Sequence, residues 1–284
     1  MSLKTKKTGL YLCAFFSIVI GTVLTVWRTF LLKNHYDPYH GSFENGSRDI
    51  FRAFEYILIF AALLSLISLI FTRGASFSSC EKPTTLSIFV KVLCGCIFFT
   101  VAILIAISLN KKLSFSSNTV IYKVFITLSI IMMFFVSFYF FVSSSVVLAN
   151  SKLRSPLSMS LPLYALFYLV ASYFNNELMY NDFNRITSHI SVIAMILLFL
   201  AQVRAEIGRP SYGFRFLSSL MCIICISSHI LPLIILAAFW QIDFSVSIIY
   251  EMAEIAVLLY AVYTAFKSVK CLGGKWDKQD ISEL

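Results

Sequence analysis

FSVSIIYEMAEIAVLLYAVYTAFK, running from Phe244 to Lys267, sets the problem this chain has to solve. The run is long enough to cross about 30 Å of hydrocarbon, which takes roughly 20 apolar residues, yet it carries Glu251 and Glu254. At about 1.5 Å per residue, Glu251 falls roughly a third of the way in and Glu254 near the middle. Their three-residue spacing puts both on one helical face. A carboxylate at the centre of a lone membrane helix costs roughly 2.5 to 3.5 kcal/mol on insertion scales, so both are expected to face protein or water and not lipid.

The rest of the sequence supplies the neighbours such a pair needs. Hydrophobic residues make up 59% of the 284 and charged residues 13%, with a mean hydropathy of +0.84, far from a soluble domain with about 25% charged residues. Apolar runs of helical length occur at Leu10 to Leu32, Phe51 to Phe71, Leu86 to Leu109, Val120 to Leu148, Leu157 to Phe174, His189 to Val203, Phe216 to Phe239 and Phe244 to Lys267. They predict an all-α polytopic membrane bundle of eight spans, with residues 1–284 forming a single integral membrane domain and no separate soluble domain. The fifth and sixth runs are the weakest; losing either gives seven spans and moves the C-terminus to the other side.

The net charge of +9 would point to nucleic acid in a soluble protein, but in a membrane protein its distribution decides. Strict alternation puts Lys4, Lys6, Lys7, Arg73, Lys82, Lys152, Arg154, Arg204, Arg209, Arg215, Lys270, Lys275 and Lys278 on one side. The other side holds fewer: Lys33, Arg48, Arg52, Lys111, Lys112 and Arg185. Both termini are therefore expected in the cytoplasm, in a cell membrane, with the lipid bilayer as the protein's surroundings and no nucleic-acid partner. The first run follows a basic N-terminus but is too long for a signal peptide and lacks a small-residue cleavage site, so it reads as an uncleaved span.

Little in the chain suggests catalysis. The seven cysteines are odd in number; Cys222-x-x-Cys225 and Cys94-x-Cys96 lie in apolar runs without neighbouring His or acidic ligands, which favours packing over redox or metal chemistry. No glycine-rich phosphate loop and no His-Glu-x-x-His is present, so no cofactor, metal or catalytic residue is assigned. In the first outer loop His35, Asp37, His40 and Glu44 have metal-ligand character, but their spacing matches no ligand pattern; a compact lid, with turns at Asp37-Pro38 and Asn45-Gly46, fits better. Pro162 should kink or delay the fifth span. Gly208 should stop the sixth.

Arg28-Thr29-x-Leu31-Leu32, followed by Tyr36-Asp37-Pro38-x-x-Gly41-x-Phe43 and later by Gly208-Arg209-Pro210, resembles a group of uncharacterised multi-spanning membrane proteins of Gram-positive bacteria. The resemblance extends over most of the chain and implies a multi-spanning topology and a bacterial envelope, with no assigned activity. In that group an acidic residue is expected near the cytoplasmic end of the helix before Gly208, where this chain has Gln202, with Glu206 further on.

Five polar residues at membrane depth form the candidate site. Arg28 and Glu55 are expected in the outer leaflet with Glu251, and Glu254 near the middle with His229 of the seventh run. Arg28 either snorkels to headgroups or turns inward to pair a carboxylate. Arg52 could satisfy Glu55 locally. Pro232 should weaken backbone pairing around Ser228, for the two adjacent serines and a water to repair. Together the five residues could line an outward-opening cavity that binds or transports a small solute or ion. A receptor or sensor would bind a small cationic or zwitterionic ligand at the acidic pair and signal through a partner membrane protein, whereas in a structural subunit the same residues would form an interhelical charge network; a homo-oligomer is compatible with each. A reporter fused to the C-terminus is expected to read cytoplasmic. An extracellular signal would refute the alternating topology.

Overall fold

The computed structural model describes residues 2–37, 42–43, 48–73, 84–112, 120–145, 153–174, 183–240 and 251–272. Its helices are α1 (Leu3–His35), α2 (Arg48–Leu64), continued through a 3-10 turn at Ser65–Ile67 into α3 (Ser68–Thr72), α4 (Thr85–Lys112), α5 (Val120–Ser144), α6 (Arg154–Ser158), α7 (Ser160–Tyr173), α8 (Phe183–Glu206), α9 (Tyr212–Trp240) and α10 (Ala253–Lys270). After α1, β1 (Tyr36–Asp37) pairs antiparallel with β2 (Ser42–Phe43), Tyr36 opposite Phe43. A short hairpin thus stands where the sequence suggests a lid; His40, Glu44 and the turn at Asn45-Gly46 lie outside the described residues.

The polytopic helical bundle expected from the hydrophobic runs is the observed fold. Among the described residues, seven helical stretches are long and apolar enough to cross a membrane: Leu3–His35, Asp49–Thr72, Thr85–Ser108, Val120–Ser144, Arg154–Tyr173, Arg185–Glu206 and Tyr212–Phe239. The fifth and sixth runs, weakest in the sequence, both qualify. The eighth run, Phe244 to Lys267, begins outside the described residues, and only its part from Glu251 onward, including α10, is described. Helix α10 is part of the bundle, packing on α9 and α4, with Ala253, Val257, Tyr260, Ala261 and Ala265 buried. Its charge is tolerated because those neighbours, and not lipid, surround it.

Local sequence sets several helix ends. Pro162 lacks the N–H that would bond the Ser158 carbonyl, and the chain breaks between α6 and α7 at Met159, as the proline predicts. Gly208, with φ of +79°, adopts the left-handed conformation open to glycine. Its N–H donates to Ala205 O at 3.2 Å and that of Arg209 to Arg204 O at 2.9 Å, the two closing bonds of a Schellman motif. In the second span the Ser65 hydroxyl donates to Ala62 O at 2.5 Å where α2 tightens into the 3-10 turn, an instance of serine competing with helical pairing.

Helix α9 is the hub. Some 72% of its most apolar window is buried, against 33% for the second span, and it packs against α1, α8 and α10. Its contact with α1 runs along Ser17, Gly21 and Thr25, small residues at every fourth position, which let two membrane helices approach closely. A Cβ on Gly21 would fall 2.4 Å from Ser227 Oγ and 3.3 Å from the Ile223 carbonyl, so a larger residue would displace the Ser227 hydroxyl and crowd α9. The Thr25 hydroxyl shares its proton between Gly21 O at 2.8 Å and Ser227 O of α9 at 2.9 Å.

Residues that alternation assigns to one side do meet at one end of the bundle. Lys6 donates to the Arg73 carbonyl at 2.9 Å, Thr72 lies beside Gly213 at the start of α9, and Arg154 pairs with Glu206 at 2.7 Å.

Candidate functional site

The site begins at a proline. Pro232 lies inside α9 and cannot donate to the Ser228 carbonyl one turn back, leaving an acceptor that costs roughly 1 to 3 kcal/mol if buried unbonded. Helix α9 continues through it because α1 supplies the donor. Arg28 Nη1 donates to Ser228 O at 2.9 Å and to His229 O at 2.8 Å. The repair expected from the neighbouring serines is made instead by this guanidinium, since Ser227 and Ser228 turn their hydroxyls back to Ile223 O and Cys225 O. Arg28 is fully buried and does not snorkel; Gly21 brings the two helices close enough for its short reach.

The same guanidinium orients His229. Its Nη1 lies 3.0 Å from His229 Nδ1, and Thr187 Oγ1 of α8 lies 3.2 Å from that atom. A guanidinium only donates, and Nη1 shares its two hydrogens among Ser228 O, His229 O and Nδ1; in that arrangement Nδ1 is assigned as acceptor and the ring proton to Nε2. Nε2 faces Glu251 Oε1 at 3.4 Å. Arg28 therefore reaches the carboxylates through an imidazole, and among the described residues neither Glu251 nor Glu254 forms an ion pair with it.

Both carboxylates are buried, Glu251 to 7% exposure and Glu254 to 1%. Glu251 is helical, Met252 between them is a turn residue with helical backbone angles, and α10 starts at Ala253, so Glu254 lies in its first turn. This start lies inside the bundle: beyond His229, α9 continues to Trp240, about 16 Å further. Glu254 Oε1 is 2.7 Å from Ser191 Oγ of α8, and that hydroxyl is also 2.8 Å from Ser188 O. One hydroxyl proton serves only one of these acceptors. With Glu254 ionised, Ser191 donates to it; with Glu254 protonated, Glu254 donates to Ser191 and Ser191 to Ser188. The remaining oxygens, Glu251 Oε2 and Glu254 Oε2, are buried with no hydrogen-bond partner among the described residues.

The structure thus gathers Arg28, His229, Glu251 and Glu254. It leaves out Glu55, which is part-buried on α2 and forms no hydrogen bond or ion pair with any of the four; Arg52, expected to satisfy it, meets Asp49 at 4.0 Å. Thr187 and Ser191 complete the cluster and are missed by sequence reasoning, because a serine or threonine in an apolar helix carries no distinguishing signal. No group of three metal-ligating side chains exists among the described residues. Cys94 and Cys222 donate to Ala256 O at 3.2 Å and Ala194 O at 3.0 Å, fixing helix contacts.

A second polar cluster lies at the far end of α8, α9 and α10. Glu206 Oε1 accepts from Tyr139 Oη at 2.7 Å, Gln202 Nε2 at 2.6 Å and Arg154 Nη2 at 3.2 Å, while Oε2 meets Arg154 Nε at 2.7 Å. Arg215 Nη2 donates to Tyr260 Oη at 3.4 Å. Lys91, in the first two turns of α4, is 8% exposed and donates inward to Ser143 O at 2.7 Å. Gln202, where the resemblance implies an acid, donates to Glu206 one helical turn further on.

Compared with known proteins, the chain matches no protein family, no curated protein and no solved structure. What can be said of function therefore rests on the two clusters.

If Arg28 is held chiefly by the carbonyl that Pro232 frees, the two residues are energetically coupled. Arg28→Met is expected to lower stability by about 2 to 4 kcal/mol, and by at least ~1 kcal/mol less in a Pro232→Ala background, where the alanine N–H can bond Ser228 O itself. Chemical denaturation in detergent measures both; additive losses would contradict the assignment.

Proposed function

We propose that Glu251 and Glu254 bind a small cationic solute in exchange with protons, and that the protein carries this solute across a bacterial cell membrane. The observation that supports the reading is the pair of buried carboxylate oxygens without a partner among the described residues. Two acids this close and this deep are strongly unfavourable as bare charges, and a proton or a small cation relieves them. A fixed internal cation would be the structural alternative, but Arg28 is engaged with α9 carbonyls and the His229 ring.

Two further features fit transport. The helix irregularity at Met252 lies between the two acids at membrane depth, and membrane transporters use helix irregularities at ion and substrate sites. The chain Glu254, Ser191, Ser188 has two hydrogen-bond arrangements that differ by one proton, so occupancy by a cation and occupancy by a proton leave distinct local structures.

Thermal stability of the purified protein, wild type beside Glu254→Gln, across pH and a panel of monovalent cations and small amines, tests this reading. A solute at ~100 times its dissociation constant should stabilise the wild type by about 2.7 kcal/mol and leave the variant unchanged; uptake into proteoliposomes should then dissipate an imposed proton gradient. Absence of any stabilising cation, together with a variant equally stable at every pH, would count against binding at Glu254 and leave the cluster as a structural network.

A further inference from the structure

Four helices direct basic side chains into the cluster around Glu206: Lys91 from α4, Arg154 from α6, Arg215 from α9 and Lys267 from α10. Among the described residues Glu206 is the carboxylate of this cluster, and its oxygens are already taken by Tyr139, Gln202 and Arg154. The other three basic groups have neutral partners: Lys91 the Ser143 carbonyl, Arg215 the Tyr260 hydroxyl, Lys267 the Tyr263 ring at 5.8 Å. Lys91 lies within electrostatic range of the other three and of Glu206. Arg215 Nε and Gln202 Oε1 are buried without a hydrogen-bond partner among the described residues. An excess of basic groups in a partly dry basin, with a donor left unused, is an environment that an anion completes.

We propose that this basin binds a phosphate group, carried by a lipid headgroup or free in solution. A carboxylate offers two oxygens in one plane and Glu206 already fills that role. The unused donors approach from α4, α9 and α10, and a tetrahedral phosphate presents oxygens to all of them, with Arg215 suited to a two-pronged contact. The Tyr139 and Tyr260 rings, both buried, exclude water beneath it, while Arg154, with 28% of its side chain exposed, marks the open edge. The site is separate from Glu251 and Glu254: Arg215 and His229 lie on one helix about 21 Å apart.

The test compares unfolding temperature in detergent with inorganic phosphate against chloride at equal ionic strength, and in phosphatidylcholine nanodiscs with and without phosphatidylglycerol. Saturating phosphate is expected to raise the unfolding temperature of the wild type by at least about 5 °C over chloride if free phosphate is the ligand. A rise with phosphatidylglycerol alone assigns the headgroup. Either gain should disappear in Lys91→Met/Arg215→Met, or in Lys267→Met if the double variant does not fold, and persist in Arg204→Gln, which removes an exposed charge on the same end. Equal stability in phosphate and chloride with no effect of phosphatidylglycerol would overturn the proposal, as would a gain that survives loss of the basin's basic groups.

Discussion

The contact between the Arg28 guanidinium and the carbonyls of Ser228 and His229 is the constraint on which the rest of the structure depends. It fixes α1 to the most buried helix, supplies the donor that Pro232 removes, and holds His229 with Nδ1 toward α1. From that orientation the next link follows, because Nε2 is left facing Glu251. A cation inside a membrane bundle is costly unless every donor is used. Here the cost is offset by acceptors that a regular helix would not offer, so the proline and the arginine make sense only together.

Two polar clusters of opposite character share the helices α8, α9 and α10. One has buried acids and a helix start; the other has basic groups crowding a single acid. On α8 they are Ser191 and Glu206, on α9 His229 and Arg215, on α10 Glu254 and Lys267. Between them lie apolar and aromatic layers such as Phe98, Phe140 and Tyr260, in ring contact at 5.8 and 5.2 Å. Any movement of α10 against α9 would be felt by both ends, which would give the cation binding proposed at the acids a mechanical route to the basic end.

Features fixed by a residue's own backbone are legible in the sequence. Pro162 and Gly208 act within one turn of chain, and the helix break and stop are where those residues predict. Burial of Glu251 and Glu254 is equally legible, since two acids in an apolar run have no comfortable lipid-facing position. Partners are harder to read. For Arg28 the sequence offers headgroups or a carboxylate, whereas among the described residues it meets two main-chain carbonyls and the His229 ring, and main-chain acceptors are revealed by no side-chain pattern. Glu55 has suitable depth but lies on α2, which faces lipid over much of its length, and depth carries no information about azimuth. Lys91 and Glu206 sit near helix ends, where long charged chains usually reach water; that several of them turn inward together is a property of four helices meeting, invisible in any one of them.

The central claim is that the acid pair exchanges a proton with its ligand. Infrared difference spectroscopy of the membrane-reconstituted protein, taken between two pH values with and without a stabilising cation, tests it most directly. The expected result is a protonated-carboxyl band that titrates, is absent from Glu254→Gln, and disappears when the cation binds. A spectrum with no titrating carboxyl band assignable to Glu254 or Glu251 would contradict it.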